Sequence, residues 1–233
     1  MNKMKRVTCA ALAGILTLGM CSCGKKSDER KKTESTTSIV ETTAEVTTIG
    51  EVKDRETRQF GTYEGKPIEW IVLDSKDGKT LLLSKNVLCR GIYQEEFQLL
   101  TTWEKCTIRT WLNGGFLNMA FAADEQEKIL LTSIITEEYA DYEGNMIGGN
   151  PTEDKVFLLS EEEAKKYFLS DTDRIAEWPE EGWTGNPGFP WILRTACMGA
   201  GGAGVKKVSG DGLIYDGDGL AQDGIRPAIW VQE

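Results

Sequence analysis

From Ser27 to Glu56 the chain is built almost wholly from Lys, Arg, Asp, Glu, Ser and Thr with a few small aliphatics, and it holds no aromatic residue. Such a segment cannot bury enough apolar surface to offset the entropy of ordering it, so it reads as an unfolded tether. That fixes the organisation: residues 1–22 precede the tether as an export signal, 23–56 form the tether, and 57–233 must supply the folded domain. A Thr/Ser/Glu-rich stretch from Thr33 to Thr48 reads as an extended, glycosylation-competent spacer. A flexible chain of that length reaches on the order of 30 Å r.m.s..

The segment before the tether explains what the tether is for. Lys3, Lys5 and Arg6 lead into an apolar run from Val7 to Met20, followed by Cys21-Ser22-Cys23-Gly24-Lys25-Lys26. A positive start, a short apolar core and small residues at the cleavage region make a secretory signal. The run is shorter than the roughly 20 residues of a bilayer span. Bacterial lipoprotein signals place a small residue before the modified cysteine. Ser22 meets that need before Cys23; Met20 before Cys21 meets it less well. The expectation is a diacylated Cys23, with Cys21 as the alternative, holding the protein on the outer face of a bacterial cytoplasmic membrane.

Charge and cysteine usage narrow the chemistry. None of the 37 acidic residues and three of the 27 basic ones precede Cys23, so the processed chain carries 24 − 37 = −13. That disfavours nucleic acid as a partner. The sequence has no histidine, which removes Ser-His-Asp and Cys-His catalysis and the commonest zinc ligand. Within the domain only Cys89, Cys106 and Cys197 remain. One at least is unpaired; a disulfide between the other two and buried thiols both stay open.

The domain begins as a β-meander. Phe60–Tyr63 and Pro67–Leu73 read as strands around Glu64-Gly65-Lys66, and Asp77-Gly78 is a hairpin turn into Thr80–Ser84. Ile108, Trp111 and Leu112 share a helical face that Asn113-Gly114-Gly115 should end. Phe116, Met119 and Ala120 should form the face of a second short helix, Asp124–Lys128 a polar turn of helix, and Ile129–Ile135 a strand. Lys155–Leu159 is a buried strand, and Ser160-Glu161-Glu162-Glu163 a capping box with Ala164, Tyr167 and Phe168 facing inward. A loop holding Trp178 and Trp183 leads to short strands at 191–194, 204–208, 213–215 and 225–231. Gly199–Gly204 lacks the Lys-Ser/Thr of a phosphate loop and reads as a surface loop.

Six ordered motifs then become recognisable: Ile68-x-Trp70-x-Val72-Leu73, Leu81-Leu82-Leu83-Ser84-Lys85, Trp103-Glu104-x-x-Thr107-Ile108-Arg109-x-Trp111-Leu112-Asn113, Lys155-Val156-Phe157-Leu158-Leu159-Ser160-x-x-Glu163, Trp191-x-Leu193-Arg194 and Arg226-Pro227-Ala228-x-Trp230. Together they resemble the bacterial extracellular domain-of-unknown-function family six-two-seven-three, which assigns no activity. The closing motifs are similar to the end of C-type-lectin-like and formylglycine-generating-enzyme-like domains. That resemblance implies an α+β domain with a twisted antiparallel sheet, short helices and long irregular loops. It also implies that Arg194 and Arg226 lie on neighbouring strands.

Candidate sites follow. Trp178 and Trp183, off any periodic face, are either an aromatic platform for a sugar or protein ligand or a plug beneath their loop. Arg109, Arg194 and Arg226 read as a buried ion-pair network, with a site for a ligand carboxylate or sugar acid, at Arg194 and Arg226 above all, as the alternative. Asp216 and Asp218 resemble the start of a calcium loop, but Leu220 stands at its fifth position and no Glu closes it, so hairpin turns explain them as well. Glu69 and Glu104 sit in ordered motifs without a spacing that selects a hydrolytic pair. Formylglycine-type oxidation would need two cysteines near the last strands, where only Cys197 lies. No cofactor or metal is expected. The reading that combines these is a surface-anchored, non-enzymatic module for a glycan or protein ligand; the alternatives are a cell-envelope hydrolase using paired carboxylates and a structural envelope protein.

Overall fold

The computed structural model describes residues 55–96, 98, 100–178, 187–199 and 202–233. All belong to one of the chain's two compact units, Thr47–Glu233. Cys21, Cys23 and Trp183 lie outside the described residues.

The meander forms as the sequence predicts. β1 (Thr57–Tyr63), β2 (Lys66–Lys76) and β3 (Lys79–Ser84) are joined by two-residue turns, Glu64-Gly65 and Asp77-Gly78. All four turn residues have φ between 51° and 75°, the left-handed geometry that matches strand twist in a tight hairpin. β1 bulges at Gly61, where an added Cβ would meet Ala120 O and the Phe121 ring at 2.6 Å. β4 (Cys89–Gly91) follows.

The helical stretch departs from its sequence expectation. α1 (Thr107–Trp111) passes through a π-turn at Leu112–Phe116 into α2 (Leu117–Ala120), so Asn113-Gly114-Gly115 does not end the helix. Asn113 shows why. Its amide donates to Arg109 O and Val156 O at 3.1 and 2.9 Å and accepts from Lys155 N and Val156 N at 2.8 and 3.1 Å. The widened turn docks that side chain on a neighbouring strand, a gain that outweighs the helix-breaking tendency of the glycines. Met119 is 58% exposed, while Phe116, Leu117 and Ala120 form the inward face.

α3 (Ala123–Lys128) leads to β5 (Thr132–Ile134), β6 (Tyr139–Ala140), β7 (Met146–Ile147), β8 (Thr152–Asp154) and β9 (Val156–Phe157). α4 (Glu161–Tyr167) carries the expected capping box: Ser160 Oγ accepts from Glu163 N, and Glu163 Oε2 from Ser160 N, each at 3.0 Å. β10 (Trp191–Gly199), β11 (Gly202–Val208), β12 (Ile214–Asp218), β13 (Asp223–Ile225) and β14 (Ala228–Gln232) complete the fold.

Two five-stranded sheets result, ordered β1-β2-β3-β14-β9 and β12-β11-β10-β13-β4, with ribbons β5–β8 and β6–β7 beside them. The domain is α+β. The expected last strand, 225–231, is split at Arg226-Pro227, which carries the chain from the second sheet to the first. Trp70, Trp103 and Trp191 are fully buried in the core, and Trp111, Trp178 and Trp230 are half-buried against it. Cys89, Cys106 and Cys197 are free thiols. Among the described residues no helix is long and apolar enough to cross a membrane.

Candidate functional site

A buried polar cluster centres on a carboxylate. Asp154, fully buried, accepts from Trp103 Nε1 (2.9 Å), Thr152 Oγ1 (2.6 Å) and Arg109 Nε (2.8 Å). It ties α1 to β8. Arg194 makes a second cluster: it grips Glu163 with both Nη atoms, donates to Leu158 O at 2.9 Å and lies 3.9 Å from Glu137. The same Glu163 closes the capping box. Lys207, also buried, pairs with Asp223 at 2.5 Å.

Arg226 does not join this network. Its Nε donates to Ser84 O at 2.8 Å and Nη2 to Lys85 O at 3.0 Å, and its guanidinium stacks over Trp191 and Phe168 at 5.0 and 5.5 Å. No carboxylate among the described residues pairs with it. Arg194 and Arg226 therefore share no partner: β10 presents the first to α4, whereas the second sits in the crossover after β13. Burial, with added repulsion from Arg55, lowers the Arg226 pKa to about 9.

Trp178 stacks on Phe189 with centroids 4.8 Å apart and packs against the core. Glu69 pairs with Lys85 at 3.3 Å, and Glu104 accepts from Asn150 N and Nδ2 at 3.1 and 2.8 Å. Each of these carboxylates is committed to its own neighbour.

An open groove lies elsewhere, where the tip of β10–β11, the end of β12 and the β6–β7 hairpin meet. It encloses about 480 Å³, between Tyr142, Met198 and Leu220, over a floor of Gly199, Gly202, Ala203 and Gly217. Apart from the Ala203 methyl the floor is glycine. A Cβ on Gly199 would come 2.8 Å from Gly202 O. Tyr142 is 73% exposed. Asp141 holds its turn, accepting from Glu143 N (2.9 Å), Asn145 N (2.8 Å) and Asn145 Nδ2 (3.0 Å). Those hydrogen bonds, Asn145 foremost, hold the Asp141 carboxyl below its usual pKa. The Tyr142 hydroxyl donates to Gly199 O at 2.7 Å. The ring is thus fixed at both ends with its body in solvent.

Asp216 and Asp218, two apart on β12, project from the same side of the strand into this groove. Asp216 pairs across the strands with Lys206 at 2.5 Å, and Lys206 reaches Glu161 at 3.5 Å. Burial lowers the Lys206 pKa, but Asp216 and Glu161 more than offset it and the net shift is upward. Cys197 lies beside Asp216; burial first, then that carboxylate, push its thiol up to about 12, so it stays protonated at neutral pH. Asp218 accepts from Leu220 N at 2.9 Å and has no basic partner among the described residues. There is also no group of three metal-binding side chains among them. The sequence signal at Tyr142 and Asp141 is an aromatic flanked by turn formers in Asp-Tyr-Glu-Gly-Asn.

Fold and groove together define a two-sheet α+β domain with a glycine-floored, acceptor-lined cleft. The chain matches the family described as Domain of unknown function (DUF6273) over residues 77–233, and it belongs to that family. The match opens within the β2–β3 turn, so β1 and β2 precede it although β2 is hydrogen-bonded along β3. No curated protein and no solved structure matches the chain.

Proposed function

We propose that this is a lipid-anchored bacterial surface protein whose domain binds a neutral or amine-bearing saccharide in the Tyr142 groove. The observation that carries the reading is the exposed, tethered Tyr142 ring above a glycine floor, beside the strand-borne Asp216 and Asp218. An aromatic face accepts the C–H face of a sugar ring, and a floor of glycines and one alanine lets that ring lie close to backbone. Carboxylate oxygens accept hydrogen bonds from sugar hydroxyls or an ammonium group. Asp218, with no cation beside it, repels an acidic sugar. Two mostly antiparallel sheets beside short helices suit a C-type-lectin-like arrangement. The signal segment, Cys23 and the tether supply the address.

The test is a saccharide array probed with the intact protein in detergent, alongside assay for shortened glycan. Binding without turnover of neutral or amino sugars is expected; turnover would establish a hydrolase, and retention of acidic glycans alone would overturn the ligand class. Labelled palmitate tests the anchor. Incorporation should survive Cys21→Ser and vanish with Cys23→Ser; the reverse pattern moves the anchor to Cys21.

A further inference from the structure

Arg226 is 1% exposed, and a buried charge requires a partner that the described residues do not provide. Arg55 stands next to it. Both guanidinium carbons lie over the same Phe168 ring, at 5.5 Å for Arg226 and 5.3 Å for Arg55. Each arginine spends part of its donor set on backbone: Arg226 on Ser84 O and Lys85 O, Arg55 on Tyr167 O. In each the Nη1 group is buried and has no acceptor among the described residues.

Among the described residues, the nearby acids are engaged elsewhere. Glu163 is held by Arg194, Asp74 accepts from the Tyr167 hydroxyl at 3.2 Å, and Asp173, which attracts Arg55, accepts from Ser170 N at 3.1 Å. Two cations on one ring, each with an orphaned inward donor, repel each other and favour a shared counter-charge. The carbonyl acceptors and the rings offset only part of the desolvation.

We propose that Arg55 and Arg226 bind one small anion, a halide or a small oxyanion such as acetate or phosphate, through their Nη1 groups beside Phe168. The enclosure of both atoms excludes a sugar acid. The site is separate from the Tyr142 groove and does not depend on it. The anion would lock β1 and the β13–β14 crossover onto the end of α4.

Thermal unfolding of the intact protein at fixed ionic strength tests this, with gluconate exchanged stepwise for chloride, acetate or phosphate. A saturable rise is expected, roughly 5–10 °C at a hundredfold excess over the half-saturating concentration. Arg55→Gln, at a half-buried position, should fold and lose the rise; Arg226→Gln should lose it too if it folds. A crystal soaked in bromide should show an anomalous peak within contact of both Nη1 atoms. A rise that never saturates, an equal rise in Arg55→Gln, or bromide absent from that position would each overturn the proposal.

Discussion

Around Asp154 every oxygen has a donor, and the donors come from a tryptophan, a threonine and an arginine on different elements. Around Tyr142 the polar groups are held in place but left partly unspent. The hydroxyl is tethered to Gly199 O, Asp218 takes one backbone N–H, and the ring face is open. The first region is fixed by bonds between side chains, the second by bonds between side chains and backbone. They differ in where the remaining hydrogen-bonding capacity points: inward to the fold at Asp154, outward at the groove. Substitutions in the first should cost stability and in the second binding.

Asp154→Ala is the strongest attempt to break that contrast. It leaves the buried Trp103 N–H and the half-buried Arg109 without their acceptor and should cost about 3–5 kcal/mol in denaturant unfolding. A loss under about 1 kcal/mol would mean the cluster relaxes into solvent.

Cys106 tests the buried side by pH. Burial raises its thiol from 9.0 to about 12. The folded chain holds this proton where the unfolded chain loses it, so the contribution is complete below about pH 9 and declines as pH rises towards 12. Stability measured from pH 8 to 11 should fall less steeply in Cys106→Ser than in the wild type; parallel curves would show a solvated thiol.

At the groove, Tyr142→Ala should change stability by no more than about 0.5 kcal/mol and weaken saccharide binding roughly tenfold. Asp218→Asn keeps an acceptor for Leu220 N but removes the charge. It should leave neutral sugars unaffected and weaken amine-bearing ones by about two- to fivefold in a titration at low salt. Equal losses for both ligand types would assign Asp218 a hydrogen-bonding role alone.

What the sequence makes legible is what short-range chemistry decides. Glu64-Gly65 and Asp77-Gly78 encode their turns, Ser160–Glu163 encodes a helix start, and strand tryptophans encode the core. The π-turn is not legible, because Asn113 is stabilised by backbone groups of Lys155 and Val156, distant in the chain. The same distance hides the groove, which joins Tyr142 to Met198, Gly199, Gly202 and Ala203 and to Asp216, Gly217, Asp218 and Leu220. Nothing local to Asp216 shows that Lys206 stands across from it. Nothing local to Arg226 shows that its acceptors are two carbonyls at the end of β3, those of Ser84 and Lys85.

The most direct measurement is a saccharide titration of ring-labelled tyrosine in the intact protein, followed by NMR. The Tyr142 resonance should shift saturably, with the half-saturation of binding itself, while buried Tyr93 stays fixed. Saturable binding that leaves Tyr142 unmoved would contradict the assignment of the groove.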